Sequence, residues 1–113
     1  MDVKATTYIE RLKALQCVVL IPTYNNAGTI AQVIADVKLY APDIIVVNDG
    51  STDNTAEILK NIDGIRVVEY DNNKGKGYAL KLGLRKAKEM GFRYAITRSE
   101  ERRVGKECLL RCR

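Results

Sequence analysis

Cys17-Val18-Val19-Leu20-Ile21-Pro22-Thr23-Tyr24-Asn25 is the stretch on which the fold turns. Its first five residues form an unbroken apolar run rich in β-branched side chains. Such a run, without polar alternation, suits a strand buried on both faces, as in a parallel sheet. Pro22 fixes the backbone and removes a donor where pairing ends. Thr23-Tyr24-Asn25-Asn26-Ala27-Gly28 is loop chemistry.

The same signature returns at Ile44-Ile45-Val46-Val47, and two further strands are read at Ile65-Arg66-Val67-Val68-Glu69-Tyr70 and at Tyr94-Ala95-Ile96-Thr97. Helical stretches lie between. Ile30, Val33, Ile34 and Val37 form one stripe over 29–40, which Ala41-Pro42-Asp43 stops because the residue before proline avoids the α region. A short helix over 55–61 has Thr52 or Asp53 as its cap. A longer one over 78–90 places Leu80, Leu84 and Ala87 on its inner face and ends at Gly91. Ahead of the first strand, residues 1–16 read as an amphipathic helix with Tyr8, Leu12 and Leu15 on one side. The order implies an α/β protein: a three-layer α/β/α domain with a mainly parallel sheet and right-handed crossovers. Ligands of such sheets bind beyond the carboxyl ends of the strands, near the topological switch point. The loops after the first three strands lie at that edge and are the most polar, glycine-rich parts of the chain.

Composition narrows the class. The 113 residues suffice for one domain, and 46% hydrophobic residues suffice for a core. No apolar run approaches the roughly 20 residues of a membrane span, and the first residues lack a secretory pattern. The expectation is a cytoplasmic protein, at most associated with the inner face of the membrane. The net charge of +5 is unevenly placed: residues 98–113 hold six of the 19 basic and three of the 14 acidic side chains, so residues 1–97 carry only +2. A nucleic-acid partner is therefore not expected. Cys17 reads as a small buried hydrophobe. Cys108 and Cys112 form a lone C-x3-C pair in a chain without histidine, which does not make a zinc site.

Three segments carry chemistry. At the exit of the first strand, Tyr24 offers an aromatic face on which a nucleobase could stack, though a tyrosine lidding the core is an equal reading. In Val46-Val47-Asn48-Asp49-Gly50-Ser51-Thr52-Asp53 a buried strand delivers a carboxylate to its carboxyl end. Asp49 there could accept a base imino N–H or ribose hydroxyls, and Gly50 would let a ligand approach; an Asx turn capping the next helix is the structural alternative. In Asn73-Lys74-Gly75-Lys76-Gly77, glycines and lysines precede a helix, a setting that suits a diphosphate. It is neither a P-loop nor G-x-G-x-x-G, since Leu80 takes the last position.

Together, in this order and spacing, P-T-Y-N, V-N-D-G-S-T-D and N-K-G-K-G-x-A-L resemble glycosyltransferase family 2 over residues 17–97. The resemblance implies the Rossmann-like GT-A fold and makes 17–97 the N-terminal nucleotide-sugar-binding part of a longer transferase. By motif, Pro22 and Tyr24 would line the nucleobase pocket, Asp49 would recognise the base, and Lys76 would lie near the donor. Thr23, Asn25, Gly50 and Ser51 are expected among the nucleotide-sugar-binding residues. The implied partners are a nucleotide diphosphate sugar and a lipid or glycan acceptor, such as a polyprenol phosphate or a cell-envelope glycan. The implied cofactor is Mg2+ or Mn2+, held in the family by a D-x-D motif after the fourth strand. Here that motif is missing, so this chain is expected to hold no metal ligands, no catalytic residues and no transfer activity of its own. From Arg98 to Cys108 the sequence resembles the translation of a common sequencing adapter, RSEERRVGKEC, and residues 98–113 are read as a non-native tail after a sheet truncated at its fourth strand. A dinucleotide-dependent oxidoreductase would need G-x-G-x-x-G after the first strand, where only Gly28 stands. A sugar nucleotidyltransferase would need a glycine-rich, Arg-bearing loop there, and a receiver domain an acidic cluster. The remaining alternative is a non-catalytic nucleotide-binding α/β module.

Overall fold

The computed structural model describes residues 3–98 and 107–111, with side chains described for 8–98. Helix α1 (Val3–Ala14) leads into β1 (Cys17–Thr23), followed by α2 (Ile30–Lys38), β2 (Ile44–Asp49), α3 (Thr55–Lys60), β3 (Arg66–Tyr70), α4 (Lys76–Glu89), β4 (Tyr94–Arg98) and β5 (Glu107–Arg111). The strand order is β3-β2-β1-β4-β5. β1 pairs in parallel with β2 and β4, and β2 in parallel with β3. The chain moves outward from β1 to β3 and then crosses back to β4. The switch point therefore lies between β1 and β4, where ligands of such sheets bind.

Burial explains the three layers. Every residue of β1 and β2 is buried. Along β1, Val19 and Ile21 enter one core with Ile30, Val33, Ile34 and Val37 of α2, while Val18 and Leu20 enter the other with Ala79 and Ala87 of α4. Each of these valine, leucine and isoleucine side chains contributes about 1.5–3 kcal/mol by leaving water. Pro22 is tolerated in this central strand for a local reason. The Val19 N–H donates across to Asp43 of the β2 side, so even-numbered residues face β4. Pairing with β4 ends at Leu20↔Thr97, and the missing N–H of Pro22 falls beyond it.

Three sequence expectations are corrected. On α1, Tyr8 and Leu15 are each 55% exposed and only Leu12 packs on the core; the helix stops at Ala14 and Leu15 lies past its end. On α4 the buried residues are Ala79, Gly83 and Ala87, with Leu84 only partly buried beside them. The helix approaches the sheet so closely that a Cβ on Gly83 would lie 2.7 Å from Leu20 Cδ2, so small residues take the centre of the contact. The sheet also does not stop at β4. Its parallel part does, but Glu107–Arg111 adds an antiparallel strand, from Tyr94↔Arg111 to Arg98↔Glu107. The unpaired backbone groups of β4 offer an edge that an apolar triplet, Cys108-Leu109-Leu110, can complete. Expectations for residues 1–2, 99–106 and 112–113 lie outside the described residues. Cys17 is buried, as expected. Among the described residues no helix is long and apolar enough to cross a membrane.

Candidate functional site

The three polar loops meet at the carboxyl edge of the sheet and are tied into one surface. The first and second are stitched together by reciprocal hydrogen bonds. The N–H groups of Asn25, Asn26 and Ala27 donate in turn to Ser51 Oγ (2.9 Å), Thr55 Oγ1 (3.2 Å) and Asp53 Oδ2 (3.1 Å). In return the Thr52 N–H donates to Asn25 Oδ1 at 2.7 Å. Asn25 sits in the left-handed region, φ +47°, which asparagine tolerates better than most residues. Asp53 Oδ1 also accepts the Thr55 hydroxyl (2.6 Å) and N–H (3.0 Å), so this residue rather than Thr52 anchors the start of α3. The Thr55 hydroxyl, ahead of the backbone donors, holds the Asp53 carboxyl below its usual range.

The second and third loops are joined through Asp49. Its carboxylate is almost fully buried, at 4% exposure. Oδ1 accepts the Tyr70 hydroxyl (2.6 Å) and the Lys74 N–H (2.8 Å). Oδ2 accepts Asn73 Nδ2 (2.9 Å) and the Gly75 N–H (3.0 Å). Desolvation, and next the bond to Asp49, push the Tyr70 phenol well above its usual value of 10.0. Gly50 has φ +67°, and a Cβ there would lie 2.3 Å from the backbone of Asn72 and Asn73. The absence of a side chain at Gly50 thus lets the third loop pack against it. The two backbone N–H groups that precede α4 are taken by an internal carboxylate.

The other candidates fall as follows. Pro22 and Thr23 are buried at the end of β1, and Thr23 pairs in register with Asn48. Tyr24, next in the chain, is 43% exposed. Ser51 is half-buried between the first two loops. Lys76 is exposed in the first turn of α4 with no hydrogen-bonding partner among the described residues. Lys74 is better held: its ammonium stands 5.3 Å from the centre of the Tyr78 ring, which meets Tyr70 edge to face. Tyr70 and Thr55 escaped the sequence reading as site residues, and Asn73 and Lys74 entered it only as part of the glycine–lysine segment. The signal for Tyr70 was its place at the end of the third strand, level with Asp49 in the sheet register. Among the described residues no three His, Cys, Asp or Glu side chains come together as a cation site. A hollow of about 260 Å³, lined in part by Val18, Asp43, Ile65 and Phe92, opens at the opposite edge of the sheet, away from these loops.

The sequence profile of Glycosyl transferase family 2 matches residues 18–94, which contain all three loops. This chain belongs to glycosyltransferase family 2. Among curated family relatives, the UDP-N-acetylglucosamine–dolichyl-phosphate N-acetylglucosaminyltransferase of Methanococcus voltae is 33% identical over 95 residues, 69% of this chain and 38% of the relative. The poly-β-1,6-N-acetyl-D-glucosamine synthase of Staphylococcus aureus MSSA476 is 36% identical over 74 residues, 60% of this chain and 18% of the relative. This family member thus spans well under half the length of either. Among solved structures, S. aureus TarS (residues 1–349) superposes with a TM-score of 0.61 at 25% identity, covering 74% of this chain and 27% of TarS. Glucosyl-3-phosphoglycerate synthase from Mycobacterium tuberculosis, in complex with Mg2+ and UDP, superposes with a TM-score of 0.66 at 24% identity, covering 89% of this chain and 38% of the synthase. These neighbours support the GT-A fold of the family.

Proposed function

We propose that this chain forms the donor-binding part of a transferase that moves a sugar from a nucleotide diphosphate sugar to an acceptor. The observation that carries the reading is the joined surface of three loops at the switch-point edge, in a chain whose family match spans all three. The nucleoside would lie over Pro22, Thr23, Tyr24, Asn25 and Ser51, with Tyr24 as its stacking face. The diphosphate would lie towards the lysines of the β3–α4 loop. Two relatives are named for N-acetylglucosamine, which makes UDP-N-acetylglucosamine the first donor to test. A polyprenol phosphate or a cell-envelope glycan is the proposed acceptor, which would bring the enzyme to the cytoplasmic face of a membrane. A divalent cation, present with UDP in the mycobacterial synthase, would neutralise the leaving diphosphate. The described residues of this chain do not fit such an ion, and no step through it is assigned to them. Residues 98–113 remain proposed as foreign to the family pattern.

Calorimetric titration of the purified chain with UDP-N-acetylglucosamine and UDP tests the reading. Nucleotide binding with no sugar transfer is expected. Failure to bind any nucleoside diphosphate overturns it, and sugar transfer by the chain alone overturns the assignment of catalysis to residues outside it.

A further inference from the structure

We infer that Asp53 is a positioning residue for nucleotide binding: its carboxylate holds the loop that carries Tyr24 and Asn25 in one form before a ligand arrives. The inference rests on the donor-site reading above. The two carboxylate oxygens serve different elements. Oδ1 faces the start of its own helix, where it accepts the hydroxyl and the N–H of Thr55 at 2.6 and 3.0 Å. Oδ2 reaches across to the first loop and accepts the Ala27 N–H at 3.1 Å. Capping α3 takes only one oxygen, so the second bond goes beyond what the helix needs. The Thr55 hydroxyl, ahead of the backbone N–H groups of Thr55 and Ala27, keeps this carboxyl below its usual range. It is therefore ionised at neutral pH, and the bonds on both of its oxygens are charge-assisted.

The first loop takes its shape from the second. Its three consecutive N–H groups, of Asn25, Asn26 and Ala27, donate to the side chains of Ser51, Thr55 and Asp53. The Thr55 hydroxyl, fully buried, accepts from Asn26 and donates to Asp53, so two of these three contacts belong to one hydrogen-bonded unit. Within the held segment Asn25 lies in the left-handed region, φ +47°, a conformation that persists only where the surroundings impose it. Release of Ala27 would let Asn25 relax and would move Tyr24, its neighbour in the chain. A nucleotide that meets a loop already held in place gives up less freedom on binding than one that must order it.

Asp53→Ser separates the helix from the loop, since serine caps a helix about as well as aspartate but has a single oxygen to give. The full chain, Asp53→Ser, Tyr24→Ala and the double variant are titrated with UDP by calorimetry. A positioning role lowers UDP affinity about three- to tenfold in Asp53→Ser. The same substitution made on Tyr24→Ala then costs less than about twofold, because the side chain being positioned is already gone. Amide exchange at Ala27 is slow in the parent chain with or without UDP. In Asp53→Ser it is fast without UDP and slowed by it, while exchange within α3 matches the parent. Unchanged UDP affinity in Asp53→Ser, an equal loss in both backgrounds, or Ala27 exchange that matches the parent overturns this role while keeping the donor site. Where Tyr24→Ala binds too weakly to titrate, the Ala27 exchange comparison decides. Absence of UDP binding by the unsubstituted chain overturns the donor site, and this role with it. Should Asp53→Ser not fold, Asp53→Asn carries the same comparison, because its one amide oxygen can cap α3 but cannot also accept from Ala27.

Discussion

Gly50 and Gly28 look alike in the sequence, both glycines in loops after strands, yet they answer to different constraints. At Gly50 a methyl group would meet the backbone of Asn72 and Asn73, whereas at Gly28 nothing lies within 4 Å. Gly50→Ala should destabilise the fold by about 1–3 kcal/mol, and Gly28→Ala by less than about 0.5 kcal/mol, as read from urea midpoints. Two titratable residues give opposite pH signatures. The folded chain holds the Tyr70 proton more tightly than the unfolded chain, whose phenol titrates near 10.0. Its contribution is thus complete below that pH and is lost as pH rises through the folded value. Tyr70→Phe should flatten the fall in stability above pH 10.0. The Asp53 carboxyl is depressed below 3.8, so its contribution is complete above that pH and lost as pH falls. Asp53→Asn should flatten the acid limb, measured by denaturation across that range. The place of Asp49 at the carboxyl end of a buried strand was legible in V-V-N-D-G, because an unbroken apolar run stops there. Its partners were not, since nothing local in residues 70–75 reveals that strand register brings Tyr70 level with Asp49.

Helices α2 and α4 show when periodicity can be trusted. In α2 the largest apolar side chains are also the buried ones, so Ile30, Val33, Ile34 and Val37 could be read directly. In α4 the stripe of Ala79, Gly83 and Ala87 faces the sheet at close range and the leucines flank it. A reading weighted by side-chain size therefore misplaces the inner face by about a third of a turn. Gly83 is the sharpest point of that contact, with Leu20 and Val47 at 2.7 and 3.1 Å from a would-be Cβ. Gly83→Val should destabilise by about 1–3 kcal/mol through overpacking, visible as a lower urea midpoint with unchanged slope. α1 departs from expectation for a different reason. The turn at Gln16, φ +54°, sets the strand entry and leaves Leu15 outside the core.

At the scale of the molecule, the alternation of strand and helix predicted the layers and the parallel sheet, while strand order and the fifth strand needed the structure. Alternation is a property of neighbouring residues; order depends on where a crossover lands, and the return of the chain to β4 leaves no local mark. β5 now occupies the edge that β4 would otherwise present. A chain ending at Arg98 should keep its α/β circular dichroism but self-associate more, because an open strand edge templates further pairing; sedimentation velocity would show the added oligomers. Sequencing the source DNA across the codon for Arg98 checks the proposed foreign origin of the tail. A D-x-D motif directly after Thr97 in place of Arg-Ser-Glu-Glu-Arg-Arg bears it out, and an unbroken Arg-Ser-Glu-Glu-Arg-Arg reading overturns it.

The bond between Tyr70 and Asp49 also has an optical consequence. The chain contains six tyrosines and no tryptophan, so phenol rings are its only ultraviolet emitters of note. A phenol that donates to a carboxylate can pass its proton on in the excited state and so loses emission. Tyr70, bonded to Asp49, should therefore emit weakly while the β3–α4 loop stays fastened and more strongly when the loop releases. A stopped-flow trace of tyrosine fluorescence, compared between the parent chain and Tyr70→Phe, would time the opening of this edge with no dye attached.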